Sequence, residues 1–371
     1  MSIYKRVIEQ AIYYKKLRLE GKDISIPFPF DRFSNYVPGV EKGRYIIVTA
    51  GTKVGKTKIT DFLFLYSPIE YVLSNETNIK IKIKYFTLEM SKEDKIRETI
   101  CYKLYKDYGI TIDTQRLQSI FKKEILDDKI EKILLSDEYK KWFAEFEKRV
   151  EFIDNIRNPY GIYKYVRDYA HKNGVYLNKH GKVLDTILIE SGDENEIKEI
   201  DYYKPNDPDE YVIIITDHIS LLTPEENKHY SLHDAMGDFS SNYCLKMRDR
   251  WKYIVVNVQQ QAASQESTEN MKLNMLQPSA NGLADNKLTG RDCDMMLGLF
   301  APSRYKIRNY EGYDITKLRD NYRELSVILN RRGNAVSTSL FFNGSSNYFE
   351  ELPEVHYFEK NPELYEQYRT Y

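Results

Sequence analysis

The residues best equipped for chemistry lie in AGTKVGKT, residues 50–57. Ala50, four further residues and then Gly55-Lys56-Thr57 give the spacing of a phosphate-binding loop with Ala in place of its first Gly. Glycines in such a loop let backbone N–H groups turn inward around phosphates, and a helix start behind it adds favourable partial charge. Ala50, Gly51, Thr52, Lys53, Val54, Gly55, Lys56, Thr57 and Lys58 are therefore the candidate cradle for ATP. Lys56 is expected on the β- and γ-phosphates and the Thr57 hydroxyl on Mg²⁺. A chance Gly-Lys-Thr in a surface loop would need neither a strand before it nor a helix after it. Here a β-rich run, 45–49, precedes the loop and a helical pattern starts at Lys56.

Two carboxylates could complete the site. Asp217 ends the apolar run YVIIITD, and an Asp at the C-terminal end of a buried strand faces the ligand crevice of an open α/β sheet. It suits a carboxylate acting on Mg²⁺, through water; the alternative is an N-cap for the next segment. Glu89, in YFTLEMS, also follows a strand and could polarise an attacking water. The residues alone equally allow a solvated Glu at a helix start.

These positions need a scaffold of alternating strands and helices. RYIIVTA, IKIKIKYFTLEM, VEFID, YVIIITD and YIVVNVQQ read as strands with helical patterns between them, and DMMLGLF, ELSVILN and STSLFFN as closing strands. That order predicts an α/β fold with a mostly parallel central sheet flanked by helices. Residues 1–25 read as an N-terminal, linker-like amphipathic helix, and 26–352 as the core. Charged helical residues near 108–148 and a polar hairpin near 175–210 read as insertions. The acidic, Tyr-rich tail 353–371 is expected to be mobile.

Composition narrows the class. The 371 residues are 42% hydrophobic and 30% charged with a net charge of −1, which excludes a globally basic nucleic-acid binder but leaves room for a local basic patch. Three scattered cysteines without a CxxC pair argue against a zinc or disulfide framework. No signal-peptide core or membrane-spanning run is visible, so the expectation is a cytoplasmic protein in bacterial cytosol, with no membrane partner. The 32 tyrosines fit either an AT-rich codon bias or base stacking on nucleic acid.

AGTKVGKT, YFTLEMS, IIITDHISLL, VVNVQQQ, RDCDMMLGLF, ELSVILNRRGN and SLFFNGSSNYFEEL occur in the order and rough spacing of the DnaB-like replicative DNA helicases. FDRFSNYVPGVEKGRYIIV resembles the segment leading into that family's RecA-like core, so the resemblance covers about residues 26–352. It implies that Glu89 is the catalytic glutamate. Gln260 would sense the γ-phosphate and couple hydrolysis to the DNA-binding loops, and Arg332 would be the arginine finger that reaches a neighbouring subunit's nucleotide. A register slip would give the finger role to Arg331 instead. Asn330 stands where the family carries a lysine, QQQ at 259–261 replaces the usual SQ, and only a short helix stands where the family has a primase-contacting helical domain.

The resemblance further implies a homo-oligomeric, hexameric ring moving on single-stranded DNA, with a primase or loader protein as a further partner. Loops 223–232 and 262–290 would line the pore, with Lys228, Lys272 and Lys287 as phosphate-contacting cations. The loop at 262–290 is rich in Gln, Ser and Asn, as expected of a segment ordered only on DNA or of a plain disordered one. A RecA-type recombinase-like filament and an ATP-binding loader or scaffold are the competing readings.

Overall fold

A computed structural model describes residues 3–184, 200–225, 231–273 and 275–369. In chain order the strands are β1 Arg44–Ala50, β2 Lys80–Thr87, β3 Val150–Ile153, β4 Gly174–Asn178, β5 Ile200–Pro205, β6 Glu210–Asp217 and β7 Ile254–Gln260. They continue with β8 Met295–Phe300, β9 Asn309–Tyr310, β10 Tyr313–Asp314, β11 Tyr322–Asn330, β12 Ser337–Asn343 and β13 Tyr348–Glu351.

Nine strands form one sheet in the order β13-β12-β11-β8-β1-β7-β6-β2-β3. From β8 to β3 every pairing is parallel; β11, β12 and β13 extend the sheet antiparallel. The central strands are apolar on both faces because helices cover both. Along β1, Ile46 and Val48 join one core and Tyr45 and Ile47 the other, following the two-residue period of a strand. The first core packs the apolar turn Phe62–Tyr66, and the second packs Phe239, Cys244, Met247 and Trp251.

The elements that present the site are locally well specified. Gly55 precedes the helix at Lys56 with φ of 111°, a left-handed geometry that glycine adopts at little cost. The helix runs from Lys56 through a π-turn at Phe62–Tyr66 to Ser74. After β2, Ser91 caps the helix Lys92–Tyr108 by accepting from the Asp94 N–H, and Gly109 ends it in the left-handed region. In β11, Ile328 is an extra residue against β8: Val327 pairs with Leu297, and Leu329 with the adjacent Met296.

Three peripheral readings meet the structure differently. Residues 108–148 contain the helices Thr114–Leu117, Asp128–Leu134 and Asp137–Glu147. β4 and β5 pair antiparallel, so the polar stretch near 175–210 carries a hairpin. The tail is a correction. Beyond Pro353 it forms the helices Val355–Lys360 and Leu364–Gln367, and Phe358 and Tyr365 are buried against Tyr313, Leu318, Tyr322 and Phe341. Aromatic burial outweighs the acidic composition that suggested mobility. Tyrosines also fill the main core, where Tyr45, Tyr66, Tyr85 and Tyr176 are essentially inaccessible and so do not serve base stacking.

The helix Ile3–Leu19 exposes Tyr4, Val7, Ile12 and Leu19 and buries Leu17. Among the described residues no helix is long and apolar enough to cross a membrane.

Candidate nucleotide site

The sheet order brings the C-terminal ends of β1, β7, β6 and β2 side by side. The phosphate loop leaves β1, Gln260 ends β7, Asp217 ends β6, and Glu89 follows β2. Thr57 Oγ1 donates to Asp217 Oδ1 at 3.1 Å, so the two residues expected at Mg²⁺ are in contact. Asp217 does not cap the short helix Ile219–Leu221 that follows, which has no side-chain cap. Its second oxygen accepts from Tyr85 Oη at 3.2 Å, and its carbonyl accepts from the Leu88 N–H at 2.8 Å.

Burial lowers the Lys56 ammonium from its ordinary range, while Asp217 and Glu89 pull it back up. Lys56 thus sits between the two acidic positions of the site. Glu89 precedes the cap Ser91, outside the first helical turn, and its side chain is 57% exposed. Helix-start preference therefore does not explain it. His218 stands beside it, with Nε2 4.0 Å from Glu89 Oε2. Burial lowers the His218 imidazole, against the opposing pull of Asp217 and Glu89.

A hydroxyl and a carboxylate in contact, both hard oxygen donors, fit Mg²⁺ bound jointly with phosphate oxygens. Among the described residues no group of three or more His, Cys, Asp and Glu could hold a metal alone, so the phosphates would have to supply the remaining ligands. Gly51 fits the cradle as well, since a Cβ there would lie 2.9 Å from Glu266 Oε1.

Strand alternation divides the three glutamines. Gln260 Nε2 donates to Thr52 Oγ1 in the phosphate loop. Gln259 and Gln261 point elsewhere and are structural. Gln259 Nε2 donates to the carbonyls of Ala284 (2.7 Å) and Asn286 (2.8 Å), and Gln261 Nε2 to Thr49 Oγ1 and the Ser279 carbonyl, both at 3.0 Å. They fasten the stretch that begins at 262, which includes the helix Thr268–Lys272. The Gln-, Ser- and Asn-rich composition therefore reflects a hydrogen-bonded loop rather than one without structure.

Lys58 is a correction within the cradle. Its Nζ donates to the Gly344 carbonyl at 2.5 Å, turned toward the turn after β12, so its side chain is committed away from the loop. Only its backbone remains available there. Lys272 and Lys287 are exposed, and Lys228 lies outside the described residues.

The two arginines differ. Arg331 Nε donates to the Cys293 carbonyl at 2.9 Å, and its Nη2 to the Arg291 carbonyl. Arg332 is exposed, and its guanidinium has no partner among the described residues. Both follow Asn330, which pairs with Met295 at the start of β8, level with Ile46 in β1. The phosphate loop starts after Ala50, roughly 13 Å further along β1. Arg332 therefore lies at the opposite edge of the sheet from the phosphate loop of its own chain.

Two features were not read from the sequence. Behind the site, Lys95, Asp61, Tyr85 and Glu98 form a buried polar cluster against Asp217. Burial pushes the Asp61 carboxyl up to about 7, with the Lys95 ammonium pulling against it. Lys95 itself is held above its ordinary range: burial would lower it, but Asp61, Glu98 and Asp217 together outweigh that. An Asp inside the apolar KITDFLFLY was the available signal. The second is Arg323, 1% exposed, whose Nε donates to the Val54 carbonyl at 2.8 Å and whose guanidinium lies 4.6 Å over the Phe342 ring. It pins the phosphate loop from β11.

No family profile matches the chain, and no curated protein matches it. Solved structures do. The ATPase domain of one helicase superposes with a TM-score of 0.66 at 16% identity, covering 95% of this chain and 99% of that one. A DnaB-like replicative helicase, solved for its interactions with primase, gives 0.64 at 16% identity, covering 92% of this chain and 67% of that one. Sheet, loop positions and these superpositions agree that the chain has the RecA-like fold of the DnaB-like helicase ATPase domains.

Proposed function

We propose that the chain is an ATP-dependent replicative DNA helicase of the DnaB type, hydrolysing ATP between subunits of a hexameric ring that moves on single-stranded DNA. The observation that carries this reading is the Thr57–Asp217 contact, with Lys56, Glu89 and Gln260 on the same sheet edge. Bound Mg²⁺ would neutralise phosphate charge between Thr57 and Asp217. Lys56 binds the β- and γ-phosphates, Glu89 accepts a proton from the attacking water, and Gln260 senses the γ-phosphate from its place on Thr52.

The position of Arg332 supports catalysis in trans, because a finger at the far edge serves a neighbour's nucleotide. Exposed Lys272 and Lys287 are the cations assigned to the DNA backbone among the described residues, with Lys228 assigned from sequence alone. The exposed apolar stripe of Ile3–Leu19 suits docking on the adjacent subunit, and a primase or loader remains the expected further partner.

Asn330 favours the second reading, an ATP-binding loader or scaffold. Its Oδ1 accepts from the Arg332 N–H at 3.1 Å, serving the turn where a cation would help catalysis. Steady-state ATP hydrolysis, with and without single-stranded DNA, separates the two. The motor reading expects DNA stimulation in the wild type and its loss in Lys56→Ala and Glu89→Gln, followed by fork unwinding. Tight ATP binding with negligible turnover on DNA would transfer the assignment to the loader.

A further inference from the structure

Lys95 is fully buried, an uncommon place for an ammonium. Its Nζ lies 2.7 Å from Asp61 Oδ2, 3.5 Å from Glu98 Oε2 and 3.9 Å from Asp217 Oδ2. Asp61 is equally buried, on the helix that starts at Lys56. Tyr85 Oη joins the two aspartates, 2.7 Å from Asp61 Oδ1 and 3.2 Å from Asp217 Oδ2. Three carboxylates therefore surround one ammonium, and the ammonium is seated on the one that faces no phosphate.

We propose that Asp61 is a positioning residue that holds the Lys95 ammonium off Asp217, leaving Asp217 free to serve a divalent cation. This inference rests on the nucleotide-site reading above. A buried lysine must be paired, and the nearest alternatives to Asp61 are Glu98, already in contact, and Asp217. Without Asp61, Lys95 closes on Asp217 and competes with Mg²⁺ for the same carboxylate. Glu98 retains part of the ammonium and so limits the effect. Tyr85 keeps the Asp217 carboxylate oriented, its Oδ2 inward and its Oδ1 on Thr57.

The test is the Mg²⁺ dependence of binding of a fluorescent ATP analogue to the full chain, with thermal melts as a check on folding. Asp61→Asn keeps the shape and removes the charge. It is expected to raise the Mg²⁺ half-saturation about tenfold, the scale typical of groups that orient metal ligands, while analogue affinity in EDTA stays at the wild-type value. Asp61→Asn combined with Lys95→Met removes the competitor too and is expected to return the half-saturation to near wild type. A merely structural role would make the double variant at least as impaired as the single.

A single variant with wild-type Mg²⁺ dependence, or a double variant no better than the single, overturns the inference. Should Asp61→Asn fail to fold, the double variant decides alone, and a tenfold weaker Mg²⁺ dependence in it counts against the inference. Failure of the wild type to bind the analogue with Mg²⁺ would instead overturn the nucleotide-site reading itself.

Discussion

Thr57 and Asp217, 160 residues apart, are joined by a 3.1 Å hydrogen bond from hydroxyl to carboxylate. The contact exists because the phosphate loop leaves β1 and Asp217 ends β6, with β7 alone between them. Thr57→Val removes the donor and the metal-facing oxygen while preserving shape. Mg²⁺-dependent binding of an ATP analogue should weaken at least about tenfold, and Thr57→Ser should retain it. Equal Mg²⁺ dependence in both variants would remove Thr57 from the site.

Arg331 and Arg332 should separate cleanly. Arg332→Ala is expected to lower ATP turnover about 10³-fold with nucleotide affinity and melting temperature unchanged, as loss of a finger in trans requires. Arg331→Ala breaks bonds to two backbone carbonyls and should cost about 1 kcal/mol of stability. Mixing Arg332→Ala chains with Lys56→Ala chains should restore part of the turnover, since some interfaces then carry an intact loop and an intact finger. No recovery would argue that the finger works within its own chain.

The glutamines should differ in the same way. Gln260→Ala is expected to bind nucleotide normally and lose DNA stimulation of hydrolysis. Gln261→Ala leaves Thr49 and Ser279 without their buried partner and should cost about 1–3 kcal/mol in a urea melt. A Gln260→Ala enzyme still stimulated by DNA would remove the sensor role.

Arg323→Met removes the group that binds the Val54 carbonyl and covers Phe342. We expect a loss of about 2–4 kcal/mol and weaker nucleotide binding, because the phosphate loop loses its fastening to β11. Unchanged affinity would limit Arg323 to a role in stability.

Lys42 provides a pH test. Burial lowers its ammonium to about 8, against the pull of Asp209 and Asp207, while its Nζ donates to the Pro208 carbonyl. Between that value and the ordinary lysine range the unfolded chain binds more protons, so stability rises with pH across the window. After allowing for solvent screening the gain is on the order of 2 kcal/mol, and Lys42→Met should remove it from the pH dependence of urea melts.

The phosphate loop was legible because its chemistry is local: Gly55, Lys56 and Thr57 are consecutive, and the flanking strand and helix follow from short patterns. The parallel sheet was legible for the same reason, each apolar strand ending at a recognisable turn. The division of labour within QQQ depends on which face of β7 each side chain takes, and the commitment of Lys58 depends on a turn 286 residues away. Neither is written locally. Lys95 was hidden among the charges of KEDKIRE, because only the third dimension distinguishes a buried lysine from its solvated neighbours. The tail misled because acidity and tyrosine content describe its outer face, while Phe358 and Tyr365 decide its packing.

The extra residue in β11 has a consequence for the finger. Side chains on a strand alternate with a period of two, so one unpaired residue inverts the parity of everything beyond it. With Ile328 unpaired, Arg331 turns back onto the carbonyls of Arg291 and Cys293 and Arg332 turns outward. Without it the phase would reverse, and the two arginines would exchange anchor and reach. A single backbone irregularity, far from any phosphate, thus sets which of two identical side chains is left free to act.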